Sequence, residues 1–246
     1  MTIWGKVLGG AAGLAMGGPI GGLIGVLTGH AADRYAAAQD REGGEGQDQT
    51  KSLSFTIGVI VLGAKMAKAD GVVTDDEVDA FKQVFQVPED EVKNVAKIFD
   101  RAKRESEGFE PYARQLSRMF RREPAVLEDL LDALFHISKA DGVMHPGELE
   151  YLAQLAEIFR FDEREFERIK AGHVATGDRD PYAVLGLPRS ASDQEIKQTY
   201  RRLIRENHPD KLIAQGLPQE FVDLANDKLA TINDAYDQIE KHRGLT

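Results

Sequence analysis

Apolar and polar positions alternate with a helical period along most of the chain. Over residues 52–172, and again after residue 192, apolar side chains recur at three- and four-residue spacing, which predicts amphipathic helices. Residues 193–207 and 218–241 form two such helices, whose stripes become buried only when the helices pair antiparallel. The sequence therefore predicts an all-α protein that ends in a helical hairpin. The stripe positions of this hairpin are Ile196, Tyr200, Leu203, Phe221, Leu224, Ala225, Leu229, Ile232, Tyr236 and Ile239.

The start of the chain is apolar and rich in glycine. Residues 7–29 carry no charged side chain, and about 20 apolar residues are enough for a helix to span a membrane. Glycine recurs at every fourth position, so one side of such a helix lets a second helix approach closely. We therefore expect residues 1–30 to be a single-pass anchor that contacts lipid and forms a homodimer through the glycines. The packing positions are Gly9, Gly13, Gly17, Gly21 and Gly25.

Other interpretations of residues 1–30 stay open. Glycine is a poor helix former in water, so the segment is also compatible with a weakly inserted or disordered arm. Residues 17–19, GGP, are able to break it into two halves, and a cleaved signal has a similar pattern. Lys6 on one side and Arg34 and Arg41 on the other leave the orientation open.

Composition narrows the choice of function. Residues 39–49 contain no apolar residue and predict a flexible linker at 31–51. The chain has no cysteine, which excludes disulfides, thiolate metal sites and cysteine nucleophiles. A formal net charge of −10 argues against nucleic acid as a general partner.

An internal repeat organises residues 52–172. The motif KADGV at residues 68–72 recurs at residues 139–143, and a glutamate follows each aspartate at the same offset. Each copy predicts an apolar helix, a tight Asp-Gly turn, an amphipathic helix, a break and a further helix. The paired acidic residues are Asp70, Glu77, Asp141 and Glu148.

Two readings of these four carboxylates stay open. Oxygen ligands brought together by a repeat are able to hold a divalent metal such as Ca²⁺ or Mg²⁺, although the spacing is not that of an EF-hand. Alternatively, Glu77 closes a capping box with Thr74, and Glu148 occupies the third position of a helix that begins at Pro146. The repeated motif resembles the TerB (tellurite-resistance B-like) domain, and that resemblance implies suspected metal ligands at the paired acidic positions.

The last domain is expected at residues 180–246, after a linker at 173–179. Its segments DPYAVLGL, EIKQTYRRLIRENHPDK and LATINDAYDQI resemble the J domain over residues 180–244. Ser192 and Glu195 form a capping box that opens the first long helix. A loop, residues 208–211, joins the two long helices.

The resemblance implies recognition of a partner and no catalytic residue. No nucleophile lies beside the His-Pro-Asp sequence, which argues against an enzyme. The resemblance implies that the basic side chains of the helix at residues 193–207 dock on an acidic surface of a DnaK-type chaperone. Asp210 then competes for a charged residue of the chaperone and favours ATP hydrolysis. The basic stripe lacks interleaved exposed aromatic residues, so nucleic acid is not expected as its partner. The partner-binding residues are Lys197, Arg201, Arg202, Arg205, His208, Pro209, Asp210 and Lys211.

An anchor, a TerB-like domain and a terminal J domain together resemble the DjlA family of bacterial inner-membrane DnaJ-like proteins. This resemblance implies folded domains that face the cytoplasm, where a DnaK-type ATPase is found. A second hypothesis is a metal or envelope-stress sensor, in which the TerB-like domain is the main active part and the J domain recruits the chaperone. On the first hypothesis no cofactor is expected, and on the second a divalent metal is.

Overall fold

The structure, a computed structural model, describes residues 18–22, 45–69, 78, 79, 81, 82, 89, 92–104, 108–139, 144–175, 177, 179–214 and 219–244. The regular secondary structure among these residues is all helical, which confirms the predicted all-α class. The labelled helices are α1 (Glu45–Ala69), α2 (Val92–Arg104), α3 (Glu110–Met119), α4 (Pro124–Ile137), α5 (Pro146–Phe159), α6 (Glu163–Gly172), α7 (Pro181–Val184), α8 (Asp193–Glu206), α9 (Pro209–Ala214) and α10 (Gln219–Arg243).

Helix α1 is the centre of the middle domain. Residues 54–67 are buried on every side of the helix, because α2, α3, α4 and α5 all pack against it. Gly58 permits one of these approaches, since a Cβ at that position would lie 2.6 Å from Leu116 Cδ1 on α3. On another side, the Tyr151 hydroxyl of α5 donates to the Leu62 carbonyl at 2.8 Å.

The start of α1 corrects the predicted linker. Residues 45–51 were expected in the flexible stretch 31–51, but they belong to α1. Helix growth is cooperative, and each added residue gains one hydrogen bond once a nucleus exists. The buried part of α1 supplies that nucleus, so the helix extends into a polar sequence that contains Gly46.

The second copy of the repeat has the predicted order of elements. Apolar α4 is followed by α5 and then by α6, and each of the last two begins with a capping box. Pro146 is the first residue of α5 and Glu148 its third, as the capping interpretation predicts. Asp70, Glu77 and Asp141 lie outside the described residues.

Five residues of the apolar start pack on the middle domain. Residues 18–22 form a short helical segment in which Ile20 is fully buried. The Ile20 backbone N–H donates to the Gln115 side-chain oxygen on α3 at 3.1 Å. Gly21, one of the predicted packing positions, is buried, while Gly9, Gly13, Gly17 and Gly25 lie outside the described part. Within that part, no helix has the length and apolar character that a membrane span requires.

The C-terminal domain contains the predicted antiparallel pair, α8 and α10. Ile196 and Leu203 of α8 share one core with Ile232, Ala235 and Ile239 of α10. The pair is also joined by polar and aromatic contacts. The rings of Tyr200 and Tyr236 stack with centroids 4.0 Å apart, and the Tyr200 hydroxyl donates to Asn233 Oδ1 at 3.0 Å.

Arg243, at the end of α10, links this helix to the beginning of the C-terminal domain. Its guanidinium donates to the Tyr182 hydroxyl at 2.7 Å and to the backbone carbonyls of Ala191 and Arg189, both at 2.6 Å. It also contacts Asp193 at 3.1 Å. These bonds tie the last helix to α7 and to the beginning of α8.

The beginning of α10 corrects the predicted hairpin. Phe221, Leu224 and Ala225 were expected to face α8, but they pack with the core of the middle domain. The Phe221 ring lies edge-on to Phe55 of α1, with centroids 4.5 Å apart. Helix α10 has 25 residues and α8 has 14. At about 1.5 Å per residue, α10 is therefore roughly 16 Å longer than α8, and its first part extends beyond the antiparallel pair.

Candidate partner-binding site

The capping box at Ser192 fixes where the cationic helix α8 begins. The Ser192 backbone N–H donates to Glu195 Oε2 at 2.7 Å, and the Glu195 N–H donates to Ser192 Oγ at 3.3 Å. Hydrogen bonds from the Ser192 backbone and hydroxyl lower the pKa of the Glu195 carboxyl. The predicted box is thus confirmed, and α8 runs to Glu206.

The cations of α8 are presented to solvent. Lys197, Arg201 and Arg205 follow one another at four-residue spacing along one side of the helix, and both arginines are exposed. Arg202 is exposed too, and its Nη1 lies 2.7 Å from Glu206 Oε2. A solvent-exposed pair of this kind stabilises a helix by only about 0.3–0.5 kcal/mol. The Arg202 guanidinium is therefore easily released to a stronger partner.

The His-Pro-Asp sequence begins a helix, which corrects the predicted loop. Pro209 is the first residue of α9, a position that suits proline because its φ is preset and its missing N–H has no partner to lose. His208 Nδ1 accepts the Asp210 backbone N–H at 3.2 Å. The histidine side chain thus caps the short helix that Pro209 opens.

The tip formed by His208, Pro209 and Asp210 lies at the surface of the protein. The side chain of Asp210 is 82% exposed and that of His208 is 48% exposed. The two side chains approach to 3.5 Å between His208 Nδ1 and Asp210 Oδ2, and Lys211 beside them is exposed. An exposed carboxylate beside a cationic helix offers charge contacts to another protein.

The tip is preceded by a buried residue, Asn207, whose side chain is held by two hydrogen bonds. Asn207 directly precedes His208 and is 4% exposed. Its side-chain Nδ2 donates to the Leu203 carbonyl at 2.9 Å, and the same carbonyl also accepts the Asn207 backbone N–H at 3.0 Å. Its Oδ1 accepts a hydrogen bond from Lys228 Nζ of α10 at 3.2 Å.

Lys228 also enters a cluster of carboxylates on α4. We call Glu128, Asp129 and Asp132 the α4 acidic cluster. Lys228 Nζ lies 3.2 Å from Glu128 Oε1 and 2.6 Å from Asp132 Oδ2, and it also contacts Asp129 Oδ1.

Two further side chains hold the cluster in place. Arg168 of α6 donates two hydrogen bonds to Glu128, at 2.9 and 2.6 Å. His173 Nε2 lies 2.8 Å from Asp132 Oδ1. Glu128 is therefore held by Arg168 of the middle domain and Asp132 by His173, which directly follows that domain, and both are also held by Lys228 of the C-terminal domain.

The three carboxylates differ in their titration. Burial raises the pKa of Asp129 to about 7, because Lys228 only partly offsets the loss of solvent. Asp129 Oδ2 has no hydrogen-bond partner among the described residues. Burial also acts to raise the pKa values of Asp132 and Glu128. Lys228 and His173 nevertheless keep the pKa of Asp132 below its usual range, and Lys228 and Arg168 do the same for Glu128. Glu128 and Asp132 are therefore ionised at neutral pH, facing Lys228 and Arg168, whereas Asp129 becomes protonated as the pH falls below about 7.

Sequence reasoning missed this cluster, although a signal was present. Residues 126–137 form a largely apolar segment of the middle domain, and Glu128, Asp129 and Asp132 interrupt it. Acidic residues are seldom fully buried unless they are paired. Three of them in one largely apolar helix therefore predict buried cations elsewhere, although the pattern does not say which ones.

Of the candidate metal ligands, the structure describes Glu148. Its Oε2 accepts the His145 backbone N–H at 3.0 Å, and this contact confirms the capping reading at that position. Over the described ranges, no group of three or more histidine or acidic side chains has an arrangement that could hold a metal ion.

Three family models match successive parts of the chain. The model of the co-chaperone DjlA transmembrane domain matches residues 1–50, that of tellurite resistance protein TerB matches residues 56–171, and that of the DnaJ domain matches residues 180–243. The DnaJ match contains all of α8, α9 and α10, and therefore the tip and its cationic helix.

Curated relatives match over nearly the full length. The co-chaperone protein DjlA of Coxiella burnetii is 33% identical over 98% of this chain and 98% of its own length. Those of Photobacterium profundum and Vibrio cholerae are each 31% identical and cover 99% and 100% of this chain. No solved structure matches. The chain matches the TerB and DnaJ models, and these curated relatives, all named co-chaperone protein DjlA, match it over nearly its whole length. It therefore belongs to the DjlA family of membrane-anchored co-chaperones.

Proposed function

We propose that this J-domain co-chaperone binds a DnaK-type chaperone through α8 and the tip, and stimulates its hydrolysis of ATP. The observation that carries the proposal is the placement of Asp210. Its carboxylate is 82% exposed at the first turn of α9, and α9 follows the helix that carries the exposed cations Arg201, Arg202 and Arg205.

The cationic helix α8 speeds the encounter with the chaperone and orients the two proteins in the complex. Positive charge on α8 attracts an acidic surface, which speeds association and fixes the register of the complex. Exposed charges are screened over about 8 Å at physiological ionic strength, so binding weakens as salt is added. This step needs no chemistry from the chain itself.

The tip supplies the regulatory step. Asp210 competes for a cation of the chaperone that would otherwise hold the conformation unable to hydrolyse ATP. Because the contact is stronger in one conformation than in the other, it shifts the population toward the hydrolysing state. His208 and Pro209 fix the direction in which Asp210 points.

The binding step is tested by charge reversal on α8. In detergent solution the full chain carrying Arg201→Glu and Arg205→Glu should bind an ATP-loaded DnaK-type chaperone at least about tenfold more weakly, since like charges then meet across the interface. Arg118→Glu, on the exposed side of α3, is the matched control and should bind as the wild type does. Equal affinity of the double variant and the wild type would contradict the proposal.

We also propose that in a bilayer residues 18–22 leave their contact with α3, and that the anchor then crosses the inner membrane once, pairs through its glycines and leaves both folded domains in the cytoplasm. The support is the matched transmembrane domain together with the need of the J domain to meet a cytosolic ATPase. Since the chain has no cysteine, a single Gln194→Cys substitution on α8 makes a clean reporter. An impermeant maleimide should label it in cells only after the inner membrane is opened, and labelling of intact spheroplasts would refute this orientation.

A further inference from the structure

The contacts of Lys228 connect the α4 acidic cluster to the residue behind the tip. One ammonium group touches Glu128, Asp129 and Asp132 on α4 and donates to Asn207 Oδ1 on the other side. Asn207 is the residue before His208. A side chain of the J domain therefore links the middle domain to the chaperone-binding tip through two contacts in succession.

The middle-domain side of this link is held rigidly. Helix α4 belongs to the core, and its residues Val126, Leu130 and Leu134 are fully buried. Arg168 binds Glu128 with two parallel hydrogen bonds, a geometry that restricts orientation as well as distance. The cluster that receives Lys228 is therefore positioned by the fold of the middle domain.

The J-domain side is fixed as well. Phe221, Val222 and Ala225 of α10 are buried in the same core as α1 and α4. These apolar contacts precede Lys228 along α10, so the helix reaches the cluster already anchored to the middle domain. In addition, Arg164 of α6 donates to the Gly186 carbonyl at 2.8 Å, which joins the two domains at a second place.

We propose that Lys228 is a positioning residue of the co-chaperone, through which the TerB-like domain fixes the tip relative to α8. The inference rests on the proposed function and adds a role for the middle domain. Asn207 ends α8 and precedes α9, so holding its side chain fixes the angle between the cationic helix and Asp210. Without Lys228 the tip samples other orientations, and only a fraction of bound complexes has Asp210 aligned.

This role separates two measurable quantities. The cations of α8 do not depend on Lys228, so the concentration of chain that gives half-maximal stimulation should stay the same. The maximal stimulated rate should fall, because it scales with the fraction of bound complexes in the competent arrangement. A purely structural role in the cluster would change the stability of the chain and leave both quantities unaltered at temperatures where it is folded.

The experiment titrates the full chain, in detergent, against a DnaK-type chaperone preloaded with ATP and follows a single turnover. Lys228→Met should lower the maximal rate about fivefold and leave the half-maximal concentration within about twofold, as expected for a loss of competent fraction alone. Lys241→Met, at an exposed position farther along α10, is the matched control and should behave as wild type. An unchanged maximal rate for folded Lys228→Met would overturn the proposal, as would a rise in the half-maximal concentration alone.

Variants of Asn207 keep the test decisive if Lys228→Met does not fold. Asn207→Ala removes the acceptor for Lys228 but leaves the ammonium in the α4 acidic cluster, and it should lower the maximal rate. Asn207→Asp loses the bond to Leu203 but keeps an oxygen for Lys228, and it should retain most of the rate. Equal rates for wild type and Asn207→Ala would overturn the proposal.

The wild type and Asp210→Asn in the same titration separate this inference from the proposed function. If the wild type stimulates and Asp210→Asn does not, the proposed function stands, and the Lys228 and Asn207 variants decide the inference alone. If the wild type gives no stimulation, the proposed function fails and the inference falls with it.

Discussion

The α8 surface and the α4 acidic cluster use the same kinds of charged side chain under opposite conditions. Arg202 and Glu206 on α8 keep about half of their side-chain surface in water, whereas Lys228 and Asp132 keep 10% and 14%. In water, a charge pair contributes little to folding and is free to exchange partners. In the interior, each charge depends on its partner, because removing one leaves the other desolvated and unpaired. The exposed surface suits transient binding, and the buried cluster suits fixed geometry.

The apolar contact beside the cluster should give the largest effect on stability. Phe221→Ala removes a fully buried ring that packs on Phe55, and such truncations cost about 3–5 kcal/mol. Urea unfolding of the full chain in detergent measures the loss. Ile213→Ala, at a side chain that is 57% exposed on α9, is the control and should change stability by less than about 0.5 kcal/mol.

Breaking the cluster at an ionised carboxylate should cost nearly as much. Asp132→Asn leaves Lys228 and His173 facing a neutral group, and breaking a buried pair costs about 3 kcal/mol. Asp129→Asn should cost less than about 1 kcal/mol near pH 6, because the raised pKa keeps Asp129 protonated there. Equal losses for the two variants at that pH would show that the assigned ionisation states are wrong.

The pH dependence of stability should carry the signature of Asp129. A folded pKa raised from 3.8 to about 7 means that the folded chain holds this proton more tightly than the unfolded chain. Its stabilising contribution is therefore complete below pH 3.8 and is lost as the pH rises to about 7. Between pH 5 and 8 the wild type should lose roughly 2 kcal/mol relative to Asp129→Asn. A constant difference between the two chains over that range would contradict the raised pKa.

The exposed pair on α8 should give the smallest effect on stability and a clear effect on binding. Arg202→Ala removes the contact with Glu206 and should cost less than about 0.5 kcal/mol in unfolding free energy. It should nevertheless weaken chaperone binding, more at low salt than at high salt, because its contribution is electrostatic. Parallel unfolding and binding measurements on this variant check both parts.

The sequence predicted elements well where the determining contacts are local. The Ser192 capping box and the capping role of Glu148 both follow from spacings of a few residues. The short helix at Pro209 was missed, although proline at a first helical position and a capping histidine are also local signals. The helical start of α1 at Glu45 was missed because the polar composition of residues 45–51 favours a linker.

The contacts at the junction of the two domains could not be predicted from the sequence, for a physical reason. A periodic apolar stripe shows that one side of a helix is covered but does not identify what covers it. Phe221 therefore seemed a partner of α8, while the structure packs it on Phe55. Lys228 and Asp129 are 99 positions apart, and neither shows in sequence that it contacts the other.

The most direct test of the account is a single turnover of ATP, bound in advance to a DnaK-type chaperone and mixed with the full chain in detergent. The account predicts that the wild-type chain accelerates hydrolysis and that Asp210→Asn, which keeps the fold because the side chain lies in solvent, gives the unstimulated rate. A rate with Asp210→Asn equal to that with wild type, or no acceleration by wild type at low salt, would contradict it.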